Sequence, residues 1–227
     1  MVKLNIISDS GQSVYRNWED PNAVIQQRSG PPPVFNPFPL TPTLLDRFAP
    51  SGKHSFIETG TYKGETTLIA LDYGFKFVRT CDLTFQNLSG ETDKKIYSYT
   101  DRNVQTIIGD SPDVIPRVLK ELKAYFPDPK DQEAVIYLDA HASGELAGGR
   151  SGGSPLLDEI YALMEDNIKT HTIFIGNRRL FGSSEWSFVS EESVLTALKV
   201  LNPNYKITTV DGYVQNDMIV ASVYDNG

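Results

Sequence analysis

The chain has 227 residues, enough for one large domain or a domain with an appendage, and its 40% apolar content and mean hydropathy of −0.29 are those of an ordinary globular protein. A net charge of −8 and a pI near 4.9 speak against a polyanionic partner such as nucleic acid, and adjacent basic pairs such as Arg178-Arg179 are too few to make a basic surface. Cys81 is the single cysteine, so no internal disulfide is open to it; no run approaches the ~20 apolar residues of a membrane span, and the polar Met1–Asp9 stretch does not read as a secretory signal, which makes a reducing cytoplasm the expected compartment.

Residues 1 to 50 stand apart from the rest. Gly30-Pro31-Pro32-Pro33, followed by Pro37, Pro39 and Pro42, excludes a regular helix or central strand. Phe35, Phe38 and Leu40 among those prolines suggest an extended segment laid on the body. It reads either as a packed N-terminal arm or as a lid over a pocket. Residues 51 to 227 form the main domain.

From residue 54 strands and helices alternate. Ser55–Glu58 reads as a strand, and Glu65–Tyr73 as a helix with Leu68, Ile69 and Leu71 inward. Phe77–Asp82 is the second strand, Thr92–Asp101 a weaker helix and Val104–Gly109 the third strand. Pro112–Phe126 has the apolar spacing of an amphipathic helix, and Ala134–Leu138 is apolar throughout, as a strand covered on both faces should be. Pro155–Asn167 is a helix with Ser154 as N-cap and Pro155 at its first position. Thr172–Ile175 is the fifth strand and Ser190–Leu201 the next helix. Lys206–Val210 and Met218–Val223 are joined by too short a segment for a crossover, so they must run antiparallel. The pattern predicts an α/β, Rossmann-like doubly wound sheet of seven strands, mostly parallel, closed by a C-terminal antiparallel hairpin.

Ligands of such sheets bind beyond the carboxyl ends of the strands, at the topological switch point. Those ends here carry Glu58, Asp82, Asp110-Ser111, Asp139-Ala140-His141 and Gly176-Asn177-Arg178-Arg179. The first of them opens a strand–turn–helix passage, Glu58-x-Gly60-x-x-x-Gly64. It is neither the dinucleotide G-x-G-x-x-G nor a phosphate-binding loop, because Lys63 precedes Gly64. A carboxylate at the strand end suits a cationic ligand better than a pyrophosphate. Asp82 stands about 22 residues after Gly60, near the ~20-residue spacing of an acid that holds ribose hydroxyls. Asp110-Ser111 is then placed to face an adenine ring.

This combination resembles the class I S-adenosylmethionine-dependent methyltransferases over roughly residues 54 to 224. The resemblance implies that Glu58, Gly60, Thr61, Tyr62, Gly64 and Thr66 surround the methionine portion of S-adenosyl-L-methionine. Asp82 and Leu83 would hold the ribose and Asp110 and Ser111 the adenine, with Asp139 also on the cofactor side. Tyr137-Leu138-Asp139-Ala140-His141 and Ile175-Gly176-Asn177 are similar to the two metal-bearing segments of catechol-type O-methyltransferases, whose relatives act on sugar hydroxyls. That implies Mg²⁺ or another divalent cation on Asp139 and Asn177. Gly176, however, stands where the pattern has an aspartate, which leaves metal dependence open. Asp139 and His141 are the implied catalytic residues; His141 reads as a general base where no metal is held, as a metal ligand, or as a residue that merely caps the strand or touches the glycine-rich loop.

Ala142–Gly153 holds five glycines and reads as a closing flap or as a plain surface loop. Arg178, Arg179, Trp186 and Tyr213 are candidates for the acceptor side or for packing. The expected function is O-methylation of a small hydroxylated acceptor, a sugar or glycan first among them. A non-catalytic cofactor-binding module and a nucleotide-linked dehydrogenase stay open, as does a homo-oligomer.

Overall fold

A computed structural model describes residues 4–7, 13–16, 39–49, 54–141 and 153–224. The proline run at Gly30–Pro33 with Phe35 and Phe38, and the glycine-rich stretch from Ala142 to Gly152, lie outside the described residues. So the arm-or-lid and flap expectations do too. The chain divides into two compact units, Met1–Asn36 and Pro37–Gly227. In the first, β1 (Leu4–Ile7) pairs antiparallel with β2 (Ser13–Arg16), Leu4 opposite Arg16 and Ile7 opposite Ser13.

The second unit is built on β3 (Ser55–Thr59), β4 (Phe77–Asp82), β5 (Asn103–Ile108), β6 (Ala134–Leu138), β7 (Thr172–Ile175), β8 (Lys206–Val210) and β9 (Met218–Ser222). They form one seven-stranded sheet in the order β5-β4-β3-β6-β7-β9-β8. The five strands β3 to β7 are mutually parallel, and β9 enters antiparallel between β7 and β8. The chain therefore builds outward from β3 to β5, then returns to lay β6 on the other flank of β3. That reversal opens a crevice at the carboxyl ends of β3 and β6.

Alternation along each strand feeds two cores. Ile57, Ile136, Leu138, Ile173 and Ile175 face α4 (Ser111–Tyr125), α5 (Leu156–Met164) and α6 (Glu191–Leu201). Phe56, Val135, Tyr137 and Phe174 face α1 (Pro42–Phe48), α2 (Glu65–Tyr73) and α3 (Gly90–Ile96). Helix α1 forms in the proline-rich stretch expected to be extended. Pro42 sits in its first turn, where no N–H is needed, and the Thr41 side chain accepts from Leu44 N–H. Leu40, Leu45 and Phe48 then pack into the second core.

Three helices differ from expectation. Helix α2 buries Thr67, Ala70 and Leu71 while Leu68 and Ile69 stay half-buried, because the Thr67 hydroxyl turns inward to the Glu58 carboxylate. Helix α3 starts earlier, at Gly90, and ends at Ile96; Ser89 caps it through Thr92 N–H at 3.0 Å, and Glu91 and Asp93 suit its first turn. Helix α5 stops at Met164, since the Asp166 side chain takes the Ile168 N–H at 2.6 Å and turns the backbone away. Its N-cap position falls on Pro155, not Ser154, although Ser154 Oγ still lies 3.4 Å from Leu156 N. No helix among the described residues is long and apolar enough to cross a membrane.

Gly60 ends β3 with φ +82°, and a Cβ there would meet the Asp139 carbonyl oxygen at 2.9 Å and Ala140 N at 3.0 Å. Gly74 has a similar backbone, φ +108°, with nothing among the described residues within 4 Å of its Cβ position. Gly74→Ala should therefore show backbone strain alone, about 1–2 kcal/mol, and Gly60→Ala a further ~1–3 kcal/mol of overpacking, read as the difference in urea unfolding free energies.

Candidate active site

The turns at the carboxyl ends of the parallel strands enclose a cavity of about 380 Å³. Gly60 and Tyr62 border it from the turn after β3, Asp82 and Leu83 from the end of β4, and Asp110 and Ser111 from the start of α4. Asp139 and His141 follow β6, Asn177 and Arg179 follow β7, and Tyr213 comes from the segment between β8 and β9. Three carboxylates of the expected set thus converge on one space from the ends of β4, β5 and β6, on both flanks of β3.

Backbone geometry fixes the first of these groups. Gly60 N–H donates to Cys81 carbonyl oxygen at 2.8 Å, docking the turn on β4. Tyr62, held at φ 45°, then donates its N–H to Asp82 Oδ2 at 2.9 Å. One half-buried carboxylate is thereby aimed across the cavity mouth. Asp110 occupies the N-cap position of α4, and Ser111 is buried in its first turn.

Glu58, Thr61, Gly64 and Thr66 do not border the cavity; they form the layer behind it. Glu58 is 2% exposed, and its Oε2 accepts from Thr67 Oγ1 at 2.5 Å and Thr80 Oγ1 at 2.7 Å. Burial lifts its carboxyl to about 7 against the pull of those hydroxyls. Thr61 Oγ1 lies 2.5 Å from Thr80 Oγ1, and Gly64 packs against Leu88, Thr92 and Ile96.

At the opposite end Asp139 donates its N–H to the Thr59 carbonyl at 3.2 Å, and its Oδ1 accepts from Asn177 Nδ2 at 2.5 Å. Desolvation first, and the charge of Glu58 second, hold the Asp139 carboxyl well above the usual carboxylate range. His141 is exposed at the rim, its ring 6.1 Å from Trp186. Arg179 donates its backbone N–H to Asp217 Oδ1 at 3.0 Å, pairs with the same carboxylate through Nη1, and lies over the Tyr213 ring. Arg178 is turned away to Glu191 at 2.9 Å, and Trp186 is fully buried, so both are packing residues.

The expected cation does not fit these residues. Asn177 turns its amide nitrogen, which does not ligate Mg²⁺, toward Asp139 Oδ1 at 2.5 Å, so the pair does not present two oxygens to an octahedral shell. The missing third position is closed as well: a Cβ on Gly176 would stand 2.3 Å from Asp139 Oδ1. Among the described residues no group of three or more His, Cys, Asp or Glu side chains could hold a metal ion.

Some participants had gone unnoticed. Thr84, Gln86 and Asn87 complete the wall after β4, and their polar run directly behind Asp82 was the available signal. Glu159 is the larger surprise. It is wholly buried on α5, and among the described residues neither carboxyl oxygen makes a well-formed hydrogen bond. Burial raises it to about 7, the nearby Ser111 and Thr59 hydroxyls pull it down, and Asp110 adds to the rise. A charge within the apolar spacing Leu156, Ile160, Leu163 was the sequence sign of it.

No protein-family model and no curated protein sequence matches the chain. Solved structures do. One is a Clostridium thermocellum protein whose name proposes an rRNA methylase, 14% identical with a TM-score of 0.51, aligned over 79% of this chain and 92% of that one. Another is a spermidine synthase bound to the transition-state analogue AdoDATO, 12% identical with a TM-score of 0.50, over 98% of this chain and 74% of that one. At such identities the likeness speaks for the fold. Together with the strand order and the antiparallel β9, it defines the Rossmann-like fold of class I methyltransferases.

Glu159 gives a pH test of this architecture. Its carboxyl binds a proton more tightly folded, at about 7, than at the ordinary 4.5. Its contribution to stability is therefore complete below 4.5 and is lost as pH rises through 7, on the order of 3 kcal/mol in all. Glu159→Gln cannot ionise, so its stability relative to the parent should climb by about 2–3 kcal/mol between pH 4.5 and pH 8 in urea titrations. A flat difference would place the ionisation elsewhere.

Proposed function

We propose that the chain is an S-adenosyl-L-methionine-dependent O-methyltransferase acting on a small hydroxylated acceptor, with a sugar or glycan as the leading class. The observation that carries this reading is the convergence of Asp82, Asp110 and Asp139 on one cavity floored by the Gly60 turn. The residues fit the cofactor's chemistry. Gly60 lets the backbone come close where a side chain would block the turn. Asp82, oriented by Tyr62 N–H, offers a carboxylate to a ribose diol, and Asp110 with Ser111 offers acceptor and donor atoms to a purine edge. When bound, the cofactor supplies a methyl group already activated on a sulfonium sulfur. The work left to this chain is alignment and one proton. Asp139, at the cavity wall, contacts the acceptor oxygen and holds it in line. His141, exposed at the rim, accepts the one proton that this hydroxyl gives up as its oxygen bonds to the methyl carbon and the sulfur leaves.

A module that binds the cofactor without chemistry is the second reading, and Gly176 in place of an aspartate is what favours it. The dehydrogenase reading loses ground to the antiparallel β9.

Calorimetry with S-adenosylhomocysteine should give a measurable Kd, and no heat at millimolar ligand removes the proposal. Asp82→Ala should weaken that Kd by about 10- to 100-fold, the value of a hydrogen bond to a charged group. With a panel of hydroxylated glycosides, followed by release of S-adenosylhomocysteine, His141→Gln should cut turnover by about 10²–10⁴ while leaving the Kd unchanged. Cofactor binding without turnover of any acceptor would favour the module.

A further inference from the structure

Gly176 is more than a missing ligand. It follows β7 in register with the residue after β6: Leu138 pairs with Ile175, and Gly176 N–H donates to the Leu138 carbonyl at 3.1 Å. A side chain at 176 would point into a space already taken. Its Cβ would stand 2.3 Å from Asp139 Oδ1, 3.0 Å from Asp139 Cγ and 2.9 Å from the Tyr137 hydroxyl. The Asp139 carboxyl leans over the glycine because there is no Cβ to stop it.

Two neighbours hold it there. Asn177 adopts the left-handed conformation, φ 56°, which turns its side chain back so that Nδ2 meets Asp139 Oδ1 at 2.5 Å. Tyr137, fully buried, brings its hydroxyl to the same space, where its hydrogen-bonding partner is the Asp139 carboxyl. That carboxyl borders the cavity, so the buried hydroxyl steadies a group the cavity exposes.

We propose that Tyr137, Asp139 and Asn177, assembled over Gly176, replace a divalent cation, so that the acceptor subsite takes a single hydroxyl by hydrogen bonding and needs no chelating diol. Asp139 touches the acceptor; Tyr137 and Asn177 are positioning residues, and Gly176 is the residue that admits the arrangement. The proposal rests on the methyl-transfer reading and narrows its acceptor to one defined by an isolated hydroxyl.

The test uses the full chain and Mn²⁺ as a paramagnetic probe, with and without S-adenosylhomocysteine. Electron paramagnetic resonance should show no protein-bound Mn²⁺ up to about 1 mM, the upper range for weak oxygen-ligand sites. Turnover of glycosides bearing one free hydroxyl should be unchanged by EDTA. Bound Mn²⁺ at micromolar concentrations, or turnover that stops with EDTA and returns with Mg²⁺, overturns the proposal. Gly176→Ala should keep the S-adenosylhomocysteine Kd within about threefold and lower kcat at least tenfold, by pushing Asp139 off its seat. Tyr137→Phe, which adds no bulk, should also lower kcat with little change in Kd. Unchanged kcat in both variants overturns the positioning roles. Failure of the parent chain to bind S-adenosylhomocysteine sinks the methyl-transfer reading instead, so the two failures are told apart.

Discussion

Everything in the site is measured from the contact between the end of β3 and the peptide that follows β6. These strands are neighbours in space although some 80 residues separate them in sequence, because the chain reverses direction across the sheet at this point. Asp139 N–H binds both the carbonyl and the hydroxyl of Thr59, and the Gly60 turn lies against the Asp139 backbone with no room for a side chain. That single close approach brings the Asp82 end and the Asp139 end of the cavity to one scale. Loosening it by an ångström would separate cofactor and acceptor groups that must act together.

The second constraint is electrostatic. Glu58 and Glu159 sit on opposite faces of the sheet, each without exposure to speak of, and each lifted to about 7. Asp139 is raised by the same desolvation. Glu58 is compensated by the hydroxyls of Thr67 and Thr80, and Glu159 in part by those of Ser111 and Thr59. The charge on Glu58 raises the cost of charging Asp139, and Asp110 does the same to Glu159. A cationic ligand in the cavity, which Asp110 and Asp139 border, lowers that cost. The acidity of the pocket is thus a property of the layer behind the wall as much as of the wall itself.

Much of this was legible in the sequence, and the reasons are specific. The runs Ala134–Leu138 and Ile173–Ile175 are buried on both faces and so carry almost only apolar side chains, which leaves little freedom in placing them. The short link before Met218 dictated the antiparallel close. Helix ends were less legible, because Ser89 and Asp166 decide them through one hydrogen bond each. Side-chain direction was less legible still. Glu58 stands at its strand end as read, but whether it meets ligand or threonine depends on the rotation of α2, which Thr67 fixes. Gly176 looked like a loss because a one-dimensional motif cannot show that Asp139 fills the space beside it.

The position of β9 has a bearing on biogenesis. The sheet places the last-made strand in its interior, between β7 and β8, buried along its whole length. Until residues 218–222 leave the ribosome, β7 is an apolar edge with its backbone groups unpaired and β8 has no partner at all. Such an edge invites pairing with other chains. The nascent protein is thus most vulnerable to misassembly, and most in need of a chaperone, in the interval just before synthesis of its sheet is complete.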